Sequence, residues 1–393
     1  VTAPLDGLLV ADFSRVVAGP LVAATLGDLG AEVVKVERPG AGDDTRAWGP
    51  PWFDPGTGPE ASYHLAPNRN KRSVLLDLHD PDDLLLARRL ASRADVVVEN
   101  FRVGTMARFG LDHDTIAATN PGVVTCSIEG FGDTPAAAEL AGYDLLAQAM
   151  SGLMSITGAA DGPPTKAGVA LVDVLAALHA AVGVLAALTE RQQTGRGRRV
   201  QVSLFDAALA SLINQATAVV AAGEVPGRLG NRHPSIAPYT TLAAADRELA
   251  LAVGNDEQFR RTCAVLGCPE LADDARFVHN ADRVAHVDEL ERRLAERLST
   301  APAAHWIEQL RAAGVPAGPV NDIAEAIELG RALGRDPVLV TERSDGTTVP
   351  TIRPPIRLTP AADERRAAPP RLGEHDAEVR AWLSTLPDPA PRP

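Results

Sequence analysis

Five short apolar segments, set between stretches of helical pattern, govern what the first half of this chain can fold into. Leu8 to Phe13 (LLVADF) reads as a buried strand, followed by a turn from Ser14 to Pro20 and a helix from Leu21 to Leu29. Glu32 to Glu37 is the next strand, reached through Gly30. After a Pro/Gly/Trp-rich loop, Gly40 to Gly58, comes the strand Ser73 to Leu78. Pro81 to Arg93 is helical, and Asp95 to Glu99 and Val123 to Ile128 are further strands. Apolar strands separated by helices imply a parallel sheet covered on both faces. The expected class is α/β: a Rossmann-like, parallel-sheet large domain over 1–222, a smaller α/β domain over 225–325, and a return linker with the C-terminal part of the large domain over 330–393.

The stretch Pro163 to Ala210 carries the strongest chemical signal. Asp173 stands at the head of a long apolar helical run rich in small residues (Ala176, Ala177, Ala180, Ala181, Gly183, Ala186, Ala187). A Gly/Arg turn, Thr194 to Arg198, ends the run, and a strand, Arg199 to Leu204, follows. A helix packed closely on all sides makes a charge costly unless something compensates it. The first turn of a helix offers free N–H groups and the positive end of the dipole, so an ionised carboxylate with a lowered pKa is expected. On these residues alone Asp173 is either a helix cap or a catalytic carboxylate.

Several activities are excluded by what the chain lacks. The turn after the first strand, Ser14 to Pro20, has no GxGxxG spacing; no Walker A loop, GxSxG elbow or HExxH helix occurs anywhere. A net charge of −13 argues against general nucleic-acid binding but allows local basic pockets. Cys126, Cys263 and Cys268 form neither a disulfide framework nor a CxxC metal motif, so no metal site is expected. No apolar run reads as an uninterrupted membrane span and no signal pattern opens the chain, which makes the cytoplasm the expected compartment. Only three of the 38 basic residues are lysine (Lys35, Lys71, Lys166), a bias that reads as the mark of a GC-rich genome.

Ligands of open α/β sheets bind at strand ends, and there the cations gather. Arg15 follows the first strand, Arg38 the second, Asn100 and Arg102 the fourth, with Arg108 downstream; Asn68 to Arg72 precedes the third. Two readings stand: solvated surface arginines, or an edge for a polyphosphorylated ligand, which arginine's planar fork suits. In the second half, Leu249 to Val253 reads as a strand, and Glu257 to Leu266 and Val287 to Leu298 as helices. Beyond Asp336 the chain turns extended and proline-rich. His233 and His375 sit beside turn residues, where structural hydrogen bonds are expected.

Taken together, the motifs resemble the class III CoA-transferase (CaiB/BaiF) family. The resemblance rests on Pro4-Leu5-Asp6-Gly7 with Ala18-Gly19-Pro20, Gly30-Ala31-Glu32-Val33 through Glu37-Arg38-Pro39, Asn70-Lys71-Arg72-Ser73 and Val98-Glu99-Asn100-Phe101. It continues with Gly142-Tyr143-Asp144, Val172-Asp173, Thr194-Gly195-Arg196-Gly197, Gly314 to Pro319 and Leu372-Gly373-Glu374-His375. The resemblance implies that Asp173 is the catalytic carboxylate, exchanging CoA between an acyl-CoA donor and a carboxylic acid acceptor through an aspartyl anhydride and an aspartyl-CoA thioester. It implies that Val16, Arg38, Leu76, Asn100 and Arg108 line the CoA site, bordered by Arg15 and Val17, with Tyr143 and Asp144 nearby, and that CoA is a substrate with no prosthetic group required. An interlocked homodimer is also implied, with long extended segments (Gly40 to Gly58, Thr347 to Pro360) wrapping a neighbour. The chain departs from formyl-CoA transferase-like members: a glycine run expected in the small domain is replaced by Gly230-Asn231-Arg232-His233-Pro234, so the acyl pocket near 228–240 stays unspecified. Two alternatives remain: an acyl-CoA racemase, disfavoured because Tyr143 replaces the histidine of a His-Asp pair and a phenol is a poor base at neutral pH, and an inactive CoA-binding homologue.

Overall fold

A computed structural model describes residues 2–359 and 366–388. Two compact units divide the chain: residues 1–153, 167–223 and 336–393, and residues 154–166 with 224–335. The segment 154–166, expected within the first domain, thus groups with the second unit. Pro360, named as the end of the proline-rich return, and residues 389–393 of the C-terminal part lie outside the described residues.

The first unit is built on six parallel strands: β1 (Leu9–Asp12), β2 (Glu32–Glu37), β3 (Lys71–Leu75), β4 (Val96–Glu99), β5 (Val124–Glu129) and β6 (Arg199–Ser203). Their order is β3-β2-β1-β4-β5-β6, the doubly wound arrangement in which the sequence doubles back at β1 and β4. Neighbouring residues of each strand face opposite layers, and both layers are dry. Val10, Val33 and Val96 pack with α1 (Ala18–Asp28) and α3 (Leu171–Thr194), whereas Ala11, Val34 and Val97 pack with α2 (Pro81–Arg93) and α4 (Asp376–Thr385). Asp80 caps α2 through the N–H groups of Asp82 and Asp83, with Pro81 at the first helical position where no N–H is needed. Gly195, at φ +69°, ends α3 in the left-handed conformation, and Gly197 lies so close to the carbonyl of Val123 that no side chain fits.

α3 is, by length and composition, long and apolar enough to cross a membrane, contrary to the expectation that no run would be. Its small residues Ala176, Ala177, Ala180 and Ala187 are buried in the core of the first unit, while Leu178 and Val182 are exposed. The free edge of the sheet, β3, is covered by the returning chain. Ser73 accepts from the N–H of His375, Leu75 N–H donates to Asp376, and Arg380 donates to the carbonyl of Leu75. Edge groups left open in this way template unwanted pairing, and here they are consumed. The extended segments are only partly without structure of their own: Asp44–Ala47 forms a 3₁₀ turn, and Thr348–Ile352 pairs with Val338–Glu342 in an antiparallel hairpin.

The second unit has a three-stranded antiparallel sheet, Ala317–Pro319, Glu248–Ala252 and Tyr239–Ala243 in that order. Helices Asp256–Val265, Val287–Leu298 and Ala303–Ala312 supply its core with Phe259, Leu290, Leu294 and Leu310. Fully buried Arg283 donates to the carbonyls of Ala237 and Phe277 and to Asp256, and stacks over Phe259. His233 Nδ1 accepts from Ser235 N–H, and His375 Nδ1 from Ser73 N–H, as structural hydrogen bonds.

Candidate active site

The carboxyl ends of β1, β2 and β4 open on a cavity of about 680 Å³. Arg15, Arg38, Leu76 and Arg108, four of the residues singled out in the sequence, line it together with Phe101, Phe109 and His79, which were not foreseen. Arg15 lies over the Phe101 ring, 5.1 Å from its centre, and Arg38 reaches Asp44 at 2.5 Å. Both side chains remain about half exposed, leaving donors for an anion. Val16, Val17 and Asn100 do not line the cavity. Val17 precedes the first turn of α1, and the Asn100 carboxamide is engaged with the Arg15 backbone.

No residue of the basic run Asn68 to Arg72 lines the cavity. The run enters β3 at the opposite end of that strand, and only the side chains of Asn68 and Lys71 reach back beneath the cavity. Arg69 pairs with Asp28, and Arg72 with Glu32 and Glu378.

Beneath the cavity runs a closed ring of buried polar groups. Lys71 Nζ donates to Asp12 (2.9 Å), the carbonyl of Pro20 (2.8 Å) and Asn68 (2.9 Å). Asp12 accepts from Ser14, whose carbonyl accepts from Lys35; Lys35 also pairs with Asp43 at 3.0 Å. Asp43 accepts from Thr45, Thr45 meets His64 Nδ1, and Asn68 returns the ring to Lys71. Burial opposes the charge on Lys35, but Asp12 and Asp43 outweigh it and hold its pKa up. Burial also opposes ionisation of Asp43, which Lys35 and Thr45 nevertheless pull below the ordinary carboxylate range. Burial, then Arg46 and Lys35, push His64 down to about 3, so it is neutral, and its buried Nε2 has no hydrogen-bond partner among the described residues. Glu37 beside the ring is held at about 2: burial opposes ionisation, and Arg46 overcomes it at 2.7 Å. Two of the three lysines are thus enclosed under the strand ends, where a compact ammonium with three donors fits. Their rarity alone had suggested only genome bias.

Asp173 occupies the third residue of α3, apart from the cavity lining, with Asp144 beside it. Asp144 Oδ1 accepts from the N–H of Val172 (2.8 Å) and of Asp173 (3.3 Å), and its Oδ2 from Gln148. The cap of α3 is therefore Asp144. Among the described residues the carboxylate of Asp173 receives no hydrogen bond and no ion pair. Only 8 % exposed, it is pushed up by burial and then by Asp144 to about 7, the reverse of the lowering expected from the helix end. The dipole cannot win, because Asp144 already occupies the N–H groups that would express it. Tyr143 precedes the short helix Asp144–Met150 and is exposed. Tyr63, unforeseen in the sequence, is shifted upward by burial, Asp173 and Asp144, and stands edge-on to Trp48, 5.3 Å between ring centres. Trp48 lies within the Pro/Gly/Trp-rich loop Gly40 to Gly58 and Tyr63 follows it; the loop's composition was the one available signal. Among the described residues no group of three or more His, Cys, Asp or Glu could hold a metal ion.

A buried acid at a helix start and an arginine-lined strand-end cavity coincide with a family match. The profile of CoA-transferase family III matches residues 5–376. The chain belongs to that family. It is a CoA-transferase, and CoA thioesters are the substrates of its family. It is 43% identical over 387 residues to the succinate–glutarate CoA-transferase of Agrobacterium fabrum, covering 98% of this chain and 96% of the relative. With the acetyl-CoA:oxalate CoA-transferase of Acetobacter aceti it shares 40% identity, covering 96% and 95%. Among solved structures, a CaiB/BaiF family protein from Brucella suis superposes with a TM-score of 0.88 at 42% identity, covering 98% of this chain and all of the other.

Proposed function

We propose that this transferase moves CoA between short carboxylic acids, dicarboxylates foremost, with Asp173 as the covalent nucleophile and the strand-end cavity as the CoA site. The observation that carries the proposal is the half-titrated, unpartnered carboxylate of Asp173 in the same unit as a cavity rimmed by Arg15, Arg38 and Arg108. A carboxylate that keeps no hydrogen bond keeps its lone pairs, and a pKa near 7 makes it more basic than an ordinary aspartate while leaving about half of it ionised at neutral pH. Its oxygen attacks the donor thioester carbonyl; the C–S bond breaks, CoA leaves as thiolate, and an acyl–aspartyl anhydride remains. The thiolate attacks the aspartyl carbonyl, releasing the donor acid and leaving aspartyl-CoA. The acceptor carboxylate then attacks that carbonyl, expelling CoA thiolate, and the thiolate takes the acceptor's acyl group and frees Asp173. The names of the relatives, which act on succinate, glutarate and oxalate, support dicarboxylates as partners.

The same reading assigns 1–222 and 330–393 to CoA binding and 225–325 to a small domain, and places the enzyme in the cytoplasm as an interlocked homodimer. Exposed Leu178, Val182, Leu209 and Ile213 in the first unit support a second chain as their cover. The exposed phenol of Tyr143 supports transfer over racemisation, which needs a base next to the thioester. The test is mass spectrometry of the protein after incubation with succinyl-CoA, with and without hydroxylamine. The expected result is a hydroxamate on Asp173 and, with a panel of acids, transfer to glutarate or oxalate. Absence of any adduct across the panel overturns the nucleophile, and deuterium uptake at the α-carbon of a branched acyl-CoA at turnover rate favours the racemase.

A further inference from the structure

The turn after β1 is held from every side. Ser14 N–H donates to Asp12 at 3.0 Å, and the Ser14 carbonyl accepts Lys35 Nζ at 2.9 Å. The N–H and carbonyl of Arg15 are both taken by the Asn100 carboxamide, at 2.8 and 2.7 Å. Val16 N–H is shared by the two oxygens of Asp43, at 3.3 Å each. In the middle of this clamp Val16 has φ +70°, a left-handed backbone that a β-branched residue avoids. Such a residue persists only where its surroundings over-determine it, and these conformations cluster at functional sites. The clamp is made of side chains from four separate segments, three of which bury a charge to make it.

We propose that Asn100, with Asp43 and Lys35, is a positioning residue that acts through Val16: the clamp stores strain at Val16 to fix the direction in which Arg15 enters the cavity before a ligand arrives. The proposal rests on the assignment of that cavity to CoA. Relaxing φ at Val16 to the ordinary negative range swings the peptide that follows Arg15 and takes its guanidinium off the Phe101 ring. A turn held in place spares the ligand the cost of ordering it. With the clamp loosened, only a fraction of molecules presents Arg15 correctly, and the apparent Kd rises by the inverse of that fraction. This differs from a ligand contact by Asn100, since the Asn100 side chain is spent on backbone and stays out of the cavity lining.

The test is calorimetric binding of coenzyme A to the full chain and to variants. Asn100→Ala is expected to weaken binding by about tenfold, and Asn100→Asp, which keeps the acceptor for Arg15 N–H and loses the donor, by less. Adding Val16→Gly to Asn100→Ala restores most of the loss; adding Val16→Ala does not. Both remove the isopropyl group, so their difference isolates the Cβ that makes a left-handed backbone costly. The thermal midpoints of the Val16→Gly and Val16→Ala single variants give a reading free of ligand. Glycine is expected to be the more stable of the two, reversing the order at ordinary positions. Equal effects of glycine and alanine on binding, or alanine the more stable, overturn the clamp. Failure of the unmodified protein to bind coenzyme A, with the midpoint order still reversed, overturns the assignment of the cavity and the role of Arg15 while leaving the strain at Val16 established.

Discussion

Each unit buries cationic groups, and the two do so for different ends. In the second unit Arg283 ties three stretches of chain together: it spends its donors on carbonyls and on Asp256 and stacks on Phe259. In the first unit Lys35 and Lys71 are enclosed by a ring that ends at a cavity wall and at a strained turn. The same desolvation cost is met in both places. In one it is returned as cohesion; in the other as a fixed direction for groups that face a ligand. Asp173 extends the contrast, because it is buried with nothing to offset the cost.

The largest effect that sharpens this comparison is expected at Asp173. Asp173→Asn removes transfer activity, measured as CoA exchange between succinyl-CoA and glutarate. It also stabilises the protein: with the folded pKa near 7 and the unfolded value near 3.8, the stability tied to the protonated form is full below about pH 4 and lost as pH rises through 7. The gain in stability, on the order of a few kcal/mol, is therefore present at pH 8 as a raised thermal midpoint and gone near pH 4. A loss of stability at pH 8 breaks the contrast. Arg283→Met is the counterpart. It costs about 3–5 kcal/mol of stability in denaturant unfolding while the folded protein binds coenzyme A as before; weakened affinity in the folded fraction ties the second unit to the site. Third, the transfer rate falls as pH drops through about 7, where Asp173 takes up its proton. Asp144→Asn gives the smallest effect. It keeps an acceptor for the α3 N–H groups and removes the like charge, so the acid limb of the pH–rate profile moves to lower pH by about one unit or less. An unmoved limb leaves burial alone as the cause.

Much of the first unit was legible before folding. Glu32–Glu37 and Pro81–Arg93 match the expected bounds residue for residue, because a valine-rich run bounded by glutamates and an Asp-Pro start are local signals. β3 was expected at Ser73–Leu78 and lies at Lys71–Leu75, since the apolar run marks the residues that reach the cavity rather than those that pair. α1 starts three residues before the expected Leu21: Pro20 read as turn, but it sits in the first helical turn, where its missing N–H costs nothing. Of the arginines expected after their strands, Arg15, Arg38 and Arg108 line the cavity and Arg102 does not, and no residue of the run that precedes β3 lines it, because counting cations ignores which end of a strand they occupy. The ring was illegible. Its members are single polar residues from distant segments, and only the fold brings them together. The pKa of Asp173 was misjudged for the same reason, its helix N–H groups being taken by Asp144 from 28 and 29 residues away.

The segment that closes the β3 edge is also the last part of the described chain to be made. Residues 367–380 supply the partners of Asn70, Ser73 and Leu75, and the carbonyl of Pro370 accepts from Arg46 beside Glu37. During synthesis, which runs from the N-terminus, the residues 224–335 leave the ribosome as one stretch while that edge is still bare. The second unit therefore has its material complete before the first, and a growing chain carries an open strand edge until residues 367–380 have emerged. The hazard belongs to nascent chains rather than to the finished enzyme, and it falls on the interval between the emergence of β3 and that of α4.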